Sequence, residues 1–189
     1  MKLEKGSMST SVAPWIQLIS GRAFDFECMA NNVWDPAEIA TVLSRTLRFA
    51  GHSRWPYTVA QHSVLVARRF SSGRRQMVAL VHDAPEVFIG DISAPLKAYL
   101  GGANSDLASL EWRIWEWIAG IHGWIPEFIS QVEAEDLRAL ATEARDVMLD
   151  PPRAWLELPD PWPQFIEPWH ADYARDVWLH TYSEIENSN

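Results

Sequence analysis

The chain has 189 residues, 48% of them hydrophobic and 22% charged, with a formal net charge of −9 and one cysteine, Cys28. That length and composition predict a single globular domain with a sizeable core. The acidic balance argues against a protein that coats a nucleic-acid polymer, where Lys and Arg must replace counterions, and a lone Cys excludes a disulfide framework or a Cys-rich zinc site.

No apolar run reaches the roughly 18 residues a membrane span needs. The N-terminus lacks the apolar core of a signal peptide. A cytoplasmic location without membrane attachment is therefore expected. Gly6-Ser7-Met8 reads as a cloning scar, so residues 1–10 are set apart as a tag and one domain is expected over 11–189.

In chain order, residues 13–26 read as an extended or irregular leading segment with a turn at Ser20-Gly21. Asp35-Pro36 starts a helix, with Asp as N-cap and Pro in the first turn. Its apolar positions Ile39, Val42, Leu43 and Leu47 recur at helical spacing, and its end is expected near Ala50-Gly51. Thr58 caps the next helix, on which His62 shares a stripe with Val59, Val66 and Phe70. A third helix, about 75–88, carries His82-Asp83. Asp91 is a candidate N-cap for a short helix containing Leu96, Lys97 and Leu100. Two long helices follow, about 106–123 and 126–149. The second carries Val132, Asp136, Leu140 and Val147 in one pattern. Five prolines in 150–164 read as a surface loop, and a last helix is expected over about 167–186. The pattern contains no sustained strand alternation, so the fold class is all-α, a compact helical bundle.

Eleven Trp are unusual in 189 residues, and most lie at or beyond Trp112. Their simplest role is to fill a helical core. The alternative is an exposed aromatic surface for self-association into a homo-oligomer.

The chemistry centres on Val81-His82-Asp83-Ala84-Pro85-Glu86 and Gly90-Asp91. An adjacent imidazole and carboxylate suit a divalent cation that accepts both nitrogen and oxygen. His62 and Asp136, each on a helical stripe, complete a candidate set of two His and two Asp. Such a set leaves positions open for water and substrate. For each residue alone the competing role is ordinary: a hydrogen-bonded core histidine, an exposed helix acid, or a cap.

Taken in order, Val-Ala-Gln-His62-Ser-Val, His82-Asp83-Ala-Pro-Glu86, Gly90-Asp91-Ile-Ser-Ala-Pro-Leu-Lys97 and Glu-Asp136-Leu-Arg-Ala-Leu resemble the HD-domain metal-dependent phosphohydrolases. Within that superfamily the pattern is closest to bacterial 5′-deoxynucleotidases and phage dATP-type triphosphohydrolases, and it covers about residues 15–148. The resemblance implies one divalent ion (Zn, Mn, Co, Fe or Mg) held by His62, His82, Asp83 and Asp136. It implies that Glu86 orients the attacking water or supports the ligands, and that Asp91 acts in proton transfer. Arg48 and Lys97 match phosphate-contacting positions, and Phe49 matches an aromatic near the nucleoside.

One departure bears on substrate. Three residues before Asp136, where relatives often carry a basic residue, this chain has Glu133, which disfavours a triphosphate. The expected partner is thus a small phosphorylated substrate, a deoxynucleoside monophosphate ahead of a triphosphate. The contrasting readings are a catalytically silent nucleotide- or metal-binding module and an interaction protein built on the Trp-rich helices.

Overall fold

The computed structural model describes residues 13–71, 73–153, 155 and 157–188. The expected tag, residues 1–10, lies outside the described residues. The leading segment folds as an antiparallel hairpin of two short strands, β1 (Trp15–Gln17) and β2 (Ala23–Asp25), with Ile16 opposite Phe24. Gly21 makes its turn with φ +84°, a region open to glycine at no steric cost. Three-residue strands are too short to show an alternating pattern, so the sequence predicts only an extended or irregular segment with a turn here.

Capping places the helices. The Asp35 carboxylate accepts the N–H groups of Ala37 and Glu38, opening α1 (Pro36–Leu43). Thr58 accepts from Gln61 N at 3.2 Å and opens α2 (Val59–Ala67). Then come α3 (Gly73–Val81), α4 (Glu86–Ile89), α5 (Ala94–Tyr99), α6 (Asp106–Ile121), α7 (Glu133–Asp146) and α8 (Ala171–Asn187). Among the described residues the architecture is these eight α-helices with 3-10 turns and the one hairpin, as the all-α expectation required. No described helix is long and apolar enough to cross a membrane.

Several boundaries differ from expectation, each for a non-local or proline-driven reason. Helix α1 stops at Leu43 rather than near Gly51, because Leu47 bridges to Thr58 and Arg48 N–H donates to Tyr57 O. Phe49 and Ala50 then take left-handed backbone, φ 57° and 51°, which non-glycine residues adopt only where tertiary contacts hold them. The helix expected over 75–88 breaks into α3 and α4. Pro85 has no N–H, and its ring crowds the carbonyl four residues back, so Ala84, Glu86, Val87 and Phe88 bond three residues back instead. Ser93, not Asp91, precedes α5. The helix expected from 126 is a 3-10 turn, Pro126–Gln131, followed by α7.

At the centre sits α2. Eight of its nine residues are buried, which a polar-faced surface helix would not allow. It packs between α3 and α8, and α1 closes over α8. Phe24 of the hairpin stacks on Phe88 with ring centroids 3.8 Å apart, tying β2 to α4. Trp115, Trp162 and Trp178 are fully buried, so core filling accounts for these three indoles.

The proline-rich stretch is only partly a surface loop. Trp162 is buried within it, with its backbone N–H donating to Thr142 Oγ1 and its indole N–H to Glu135 Oε2. Arg145 donates to the carbonyls of Trp162 and Gln164, and Asp146 Oδ2 accepts from Ile166 N at 3.0 Å. The segment is thereby strapped onto α7. Helix α8 begins at Ala171 and buries Ala174, Trp178, Tyr182 and Ile185, while Tyr173, Asp176 and His180 face solvent.

Candidate metal centre

Three segments converge on one point. Helix α2 supplies His62, the turn between α3 and α4 supplies His82 and Asp83, and the first turn of α7 supplies Asp136. The break at Pro85 follows the His-Asp pair directly, so the two side chains sit on a tight turn rather than on diverging faces of a continuous helix. The Nε2 atoms of His62 and His82 are 3.3 Å apart. Asp83 lies 3.4 Å from each of them, through Oδ2 and Oδ1 respectively. Asp136 Oδ1 lies 3.1 Å from His62 Nε2 and 3.6 Å from His82 Nε2.

The other imidazole nitrogens determine what those Nε2 atoms can be. His82 Nδ1 is 2.7 Å from the carbonyl of Ala79, a group that can only accept, so Nδ1 carries a proton. His62 Nδ1 is 2.6 Å from Glu143 Oε1. Burial pushes the Glu143 carboxyl up, but the charges of Arg48 and His62 outweigh it and hold its pKa at about 2, so this oxygen also accepts. In the neutral imidazoles both Nε2 atoms therefore present lone pairs, to each other and to two carboxylates. Four acceptors around one point repel unless a cation, whether a proton on an imidazole or a metal ion, lies among them.

The residues fit a metal ion. His62, His82 and Asp83 place one ligand atom each within 4.8 Å of the others, a group that can hold one. The 3.3 Å edge between the nitrogens is also close to the roughly 3.3 Å that separates two ligands at about 2.0–2.1 Å in a tetrahedral shell. The local field favours positive charge. Burial opposes protonation of His82, yet Asp83 and Asp136 raise its pKa to about 9.

Behind this centre lies Glu143, absent from the expected site residues. Its side chain has no solvent exposure, and its second oxygen accepts from Arg48 Nη2 at 3.1 Å. It stands seven residues after Asp136 on the buried stripe of α7 that holds Ala139 and is continued by the flanking Val132 and Val147. An acid at that spacing from a candidate ligand was the available signal. Arg48, expected at the substrate, bridges Glu143 and Asp83, with Nη1 3.3 Å from Asp83 Oδ2. Phe49 faces Trp155, with ring centroids 6.1 Å apart, and packs with the small apolar cluster of Tyr57, Val147 and Ile166.

The centre opens into a cleft of about 350 Å³ lined by His82, Asp83, Glu86, Lys97, Glu133 and Asp136 on its polar side. Trp112, Trp115, Ile129 and Val132 form apolar parts of its wall. Glu86 is buried, and its Oε2 has no hydrogen-bond partner. Burial first, then the charges of Asp83 and Asp91, push its carboxyl well above the usual carboxylate range. Asp91 is half-buried on the loop after α4 and is also raised, chiefly by burial. Lys97 reaches the cleft but is paired with Glu111, Nζ to Oε1 2.6 Å. The structure thus brings His82, Asp83, Asp136, Glu86 and Lys97 to one cleft, with His62 buried behind them against His82, Arg48 behind the candidate ligands and Phe49 turned to Trp155.

The chain is 36% identical over 141 residues to the uncharacterized protein YfdR of Escherichia coli (strain K12), an alignment covering 75% of this chain and 76% of that protein. It belongs to the YfdR family. A shorter alignment, 101 residues at 34% identity, relates it to an uncharacterized protein of Rhodobacter capsulatus and covers 49% of this chain and 52% of the relative. No protein-family model matches the chain.

Proposed function

We propose that this protein is a divalent-metal-dependent phosphohydrolase that converts deoxynucleoside 5′-monophosphates to deoxynucleoside and phosphate. The observation that carries the reading is the pair of His Nε2 atoms 3.3 Å apart, each made an acceptor from behind and flanked by Asp83 and Asp136 at the base of a cleft. His62, His82, Asp83 and Asp136 would hold the ion. Two nitrogen and two carboxylate donors suit Zn, Mn, Co or Fe ahead of Mg. Once bound, such an ion polarises a phosphoryl oxygen and makes water a competent nucleophile near neutral pH.

The remaining steps fall to the chain's own groups. Glu86, buried in the cleft wall with an unpartnered oxygen, can hold a proton for the departing 5′-oxygen or accept one from the attacking water. Asp91, nearer solvent, can exchange that proton onward. Among the described residues Lys97 is the cation on the cleft lining, and a phosphate would compete with Glu111 for it. Because Glu133 shares that lining with Asp83, Glu86, Glu111 and Asp136, each additional phosphate meets added repulsion. That favours a monophosphate over a triphosphate. Free deoxynucleotides are intracellular metabolites, so we place the reaction in the cytoplasm.

The test is a screen of all deoxynucleoside mono- and triphosphates with Zn, Mn, Co, Fe or Mg supplied, reading inorganic phosphate against tripolyphosphate. Phosphate release from monophosphates supports the reading. Tripolyphosphate release from triphosphates alone would replace it with a triphosphohydrolase, and no hydrolysis with any metal would leave a binding module.

A further inference from the structure

The cleft has two indoles on its wall, and they are not equivalent. Trp115 is buried, with its indole N–H donating to Pro126 O at 2.7 Å, and it belongs to the core. Trp112, three residues earlier on α6, is 41% exposed yet lines the same cleft as His82 and Asp83. Its indole N–H donates to Glu116 Oε1 at 2.9 Å, one turn along the helix, which fixes one edge of the ring. Among the described residues no aromatic ring packs against it, whereas Trp34, Trp117, Trp124, Trp155, Trp169 and Trp178 each contact another ring. Ala108 and Ile129, also on the cleft wall, add small and apolar surface. Phe49 faces Trp155 and so leaves the cleft without its expected aromatic.

We propose that Trp112 is the platform on which the planar, uncharged part of the leaving group stacks, so that the cleft takes a phosphate monoester of a nucleoside rather than of a simple sugar or alcohol. The inference rests on the phosphohydrolase reading and specifies the substrate class of that same site. A cleft of about 350 Å³ reaches from the metal-facing acids to Trp112 and is of the size that encloses one small ligand. An aromatic face accepts any base and adds affinity without drawing on the scarce cations of this cleft. Specificity for a base by stacking alone is broad, so purine and pyrimidine nucleotides are both substrates, with purines favoured by their larger face.

The experiment compares a deoxynucleoside monophosphate with 2-deoxyribose 5-phosphate, which carries the same phosphoryl and sugar groups but no base. Full-length, metal-supplemented wild type, Trp112→Ala and Trp112→Phe are measured. Trp112→Ala is expected to lower kcat/KM for the nucleotide about tenfold, mainly through KM, as loss of one stacked base predicts. Its rate on 2-deoxyribose 5-phosphate stays unchanged, and Trp112→Phe keeps most of the nucleotide activity. Equal losses on both substrates, or no loss on the nucleotide, would overturn the assignment. If wild type hydrolyses neither compound with any metal, the phosphohydrolase reading fails and Trp112 is judged on binding of a deoxynucleoside by equilibrium dialysis. Binding that weakens about tenfold in Trp112→Ala upholds the platform. Equal binding, or none to wild type, removes it.

Discussion

His62 Nδ1 lies 2.6 Å from Glu143 Oε1, and neither side chain has any exposure to solvent. This contact fixes the His62 tautomer, aims its Nε2 at the centre and raises its basicity as a candidate ligand. Replacing Glu143 by Gln keeps the shape but removes the charge behind His62 and presents an N–H₂ group toward Arg48. Metal affinity is expected to fall about 10–100-fold, measured by competition with a chromogenic chelator. Unchanged affinity would mean that His62 is oriented by its helix alone.

Arg48 joins two acids that approach the centre from different segments, Asp83 of the α3–α4 turn and Glu143 of α7. Its guanidinium is largely buried, so Arg48→Met leaves the buried Glu143 carboxylate hydrogen-bonded to His62 but without its compensating cation. The expected cost is about 3 kcal/mol of folding stability, read by urea denaturation of the ion-free protein. Adding Glu143→Gln to Arg48→Met should recover part of that loss, since it removes the uncompensated charge. A phosphate-binding arginine with no structural role would lower activity and leave stability unchanged.

Glu133 stands in the cleft lining at the first position of α7 and is exposed. Glu133→Lys should raise the use of triphosphates relative to monophosphates, because a cation replaces an anion beside added phosphates. Fold stability should be unaffected at an exposed helix position. The ratio of kcat/KM for the two substrate classes is the readout, and an unchanged ratio would show that Glu133 does not face the substrate.

Asp146 holds the proline-rich strap through Ile166 N and Arg145. Burial raises its pKa, but the Arg145 guanidinium and the Ile166 N–H outweigh burial and bring it below the ordinary value. A depressed folded pKa contributes stability that is fully present above the unfolded value of about 3.9 and is lost as pH falls through the folded value. Asp146→Asn should therefore cost about 1.5–3 kcal/mol near neutral pH. That difference should shrink once wild-type Asp146 is itself protonated in strong acid. Urea unfolding of both proteins across acid pH checks this, and a difference independent of pH would contradict it.

What the sequence made legible was what is local. Asp35 and Thr58 announce their helices because capping is decided within a few residues, and His62 and Asp136 sit on helices that periodicity predicts, whereas His82-Asp83, expected on a helix, sit on the turn that Pro85 imposes. Glu143 escaped because the stripe of α7 was read as apolar, and its partners His62 and Arg48 lie 81 and 95 residues away. The early end of α1 depends on the Leu47–Thr58 bridge, which local propensity does not report. Trp162 sits among prolines that signal a loop, and only the distant partners Thr142 and Glu135 reveal that the loop is anchored. Phe49 was assigned to the cleft by resemblance, while its left-handed backbone and contact with Trp155 turn on tertiary packing.

We propose that His62, His82, Asp83 and Asp136 form one metal centre on which hydrolysis depends. The proposal is tested most directly by measuring bound metal, by elemental analysis, together with phosphate release from deoxynucleoside monophosphates, in wild type and His82→Ala. Wild type should bind about one divalent ion per chain and release phosphate, and His82→Ala should lose both together. Phosphate release by His82→Ala at the wild-type rate, without bound metal, would contradict it.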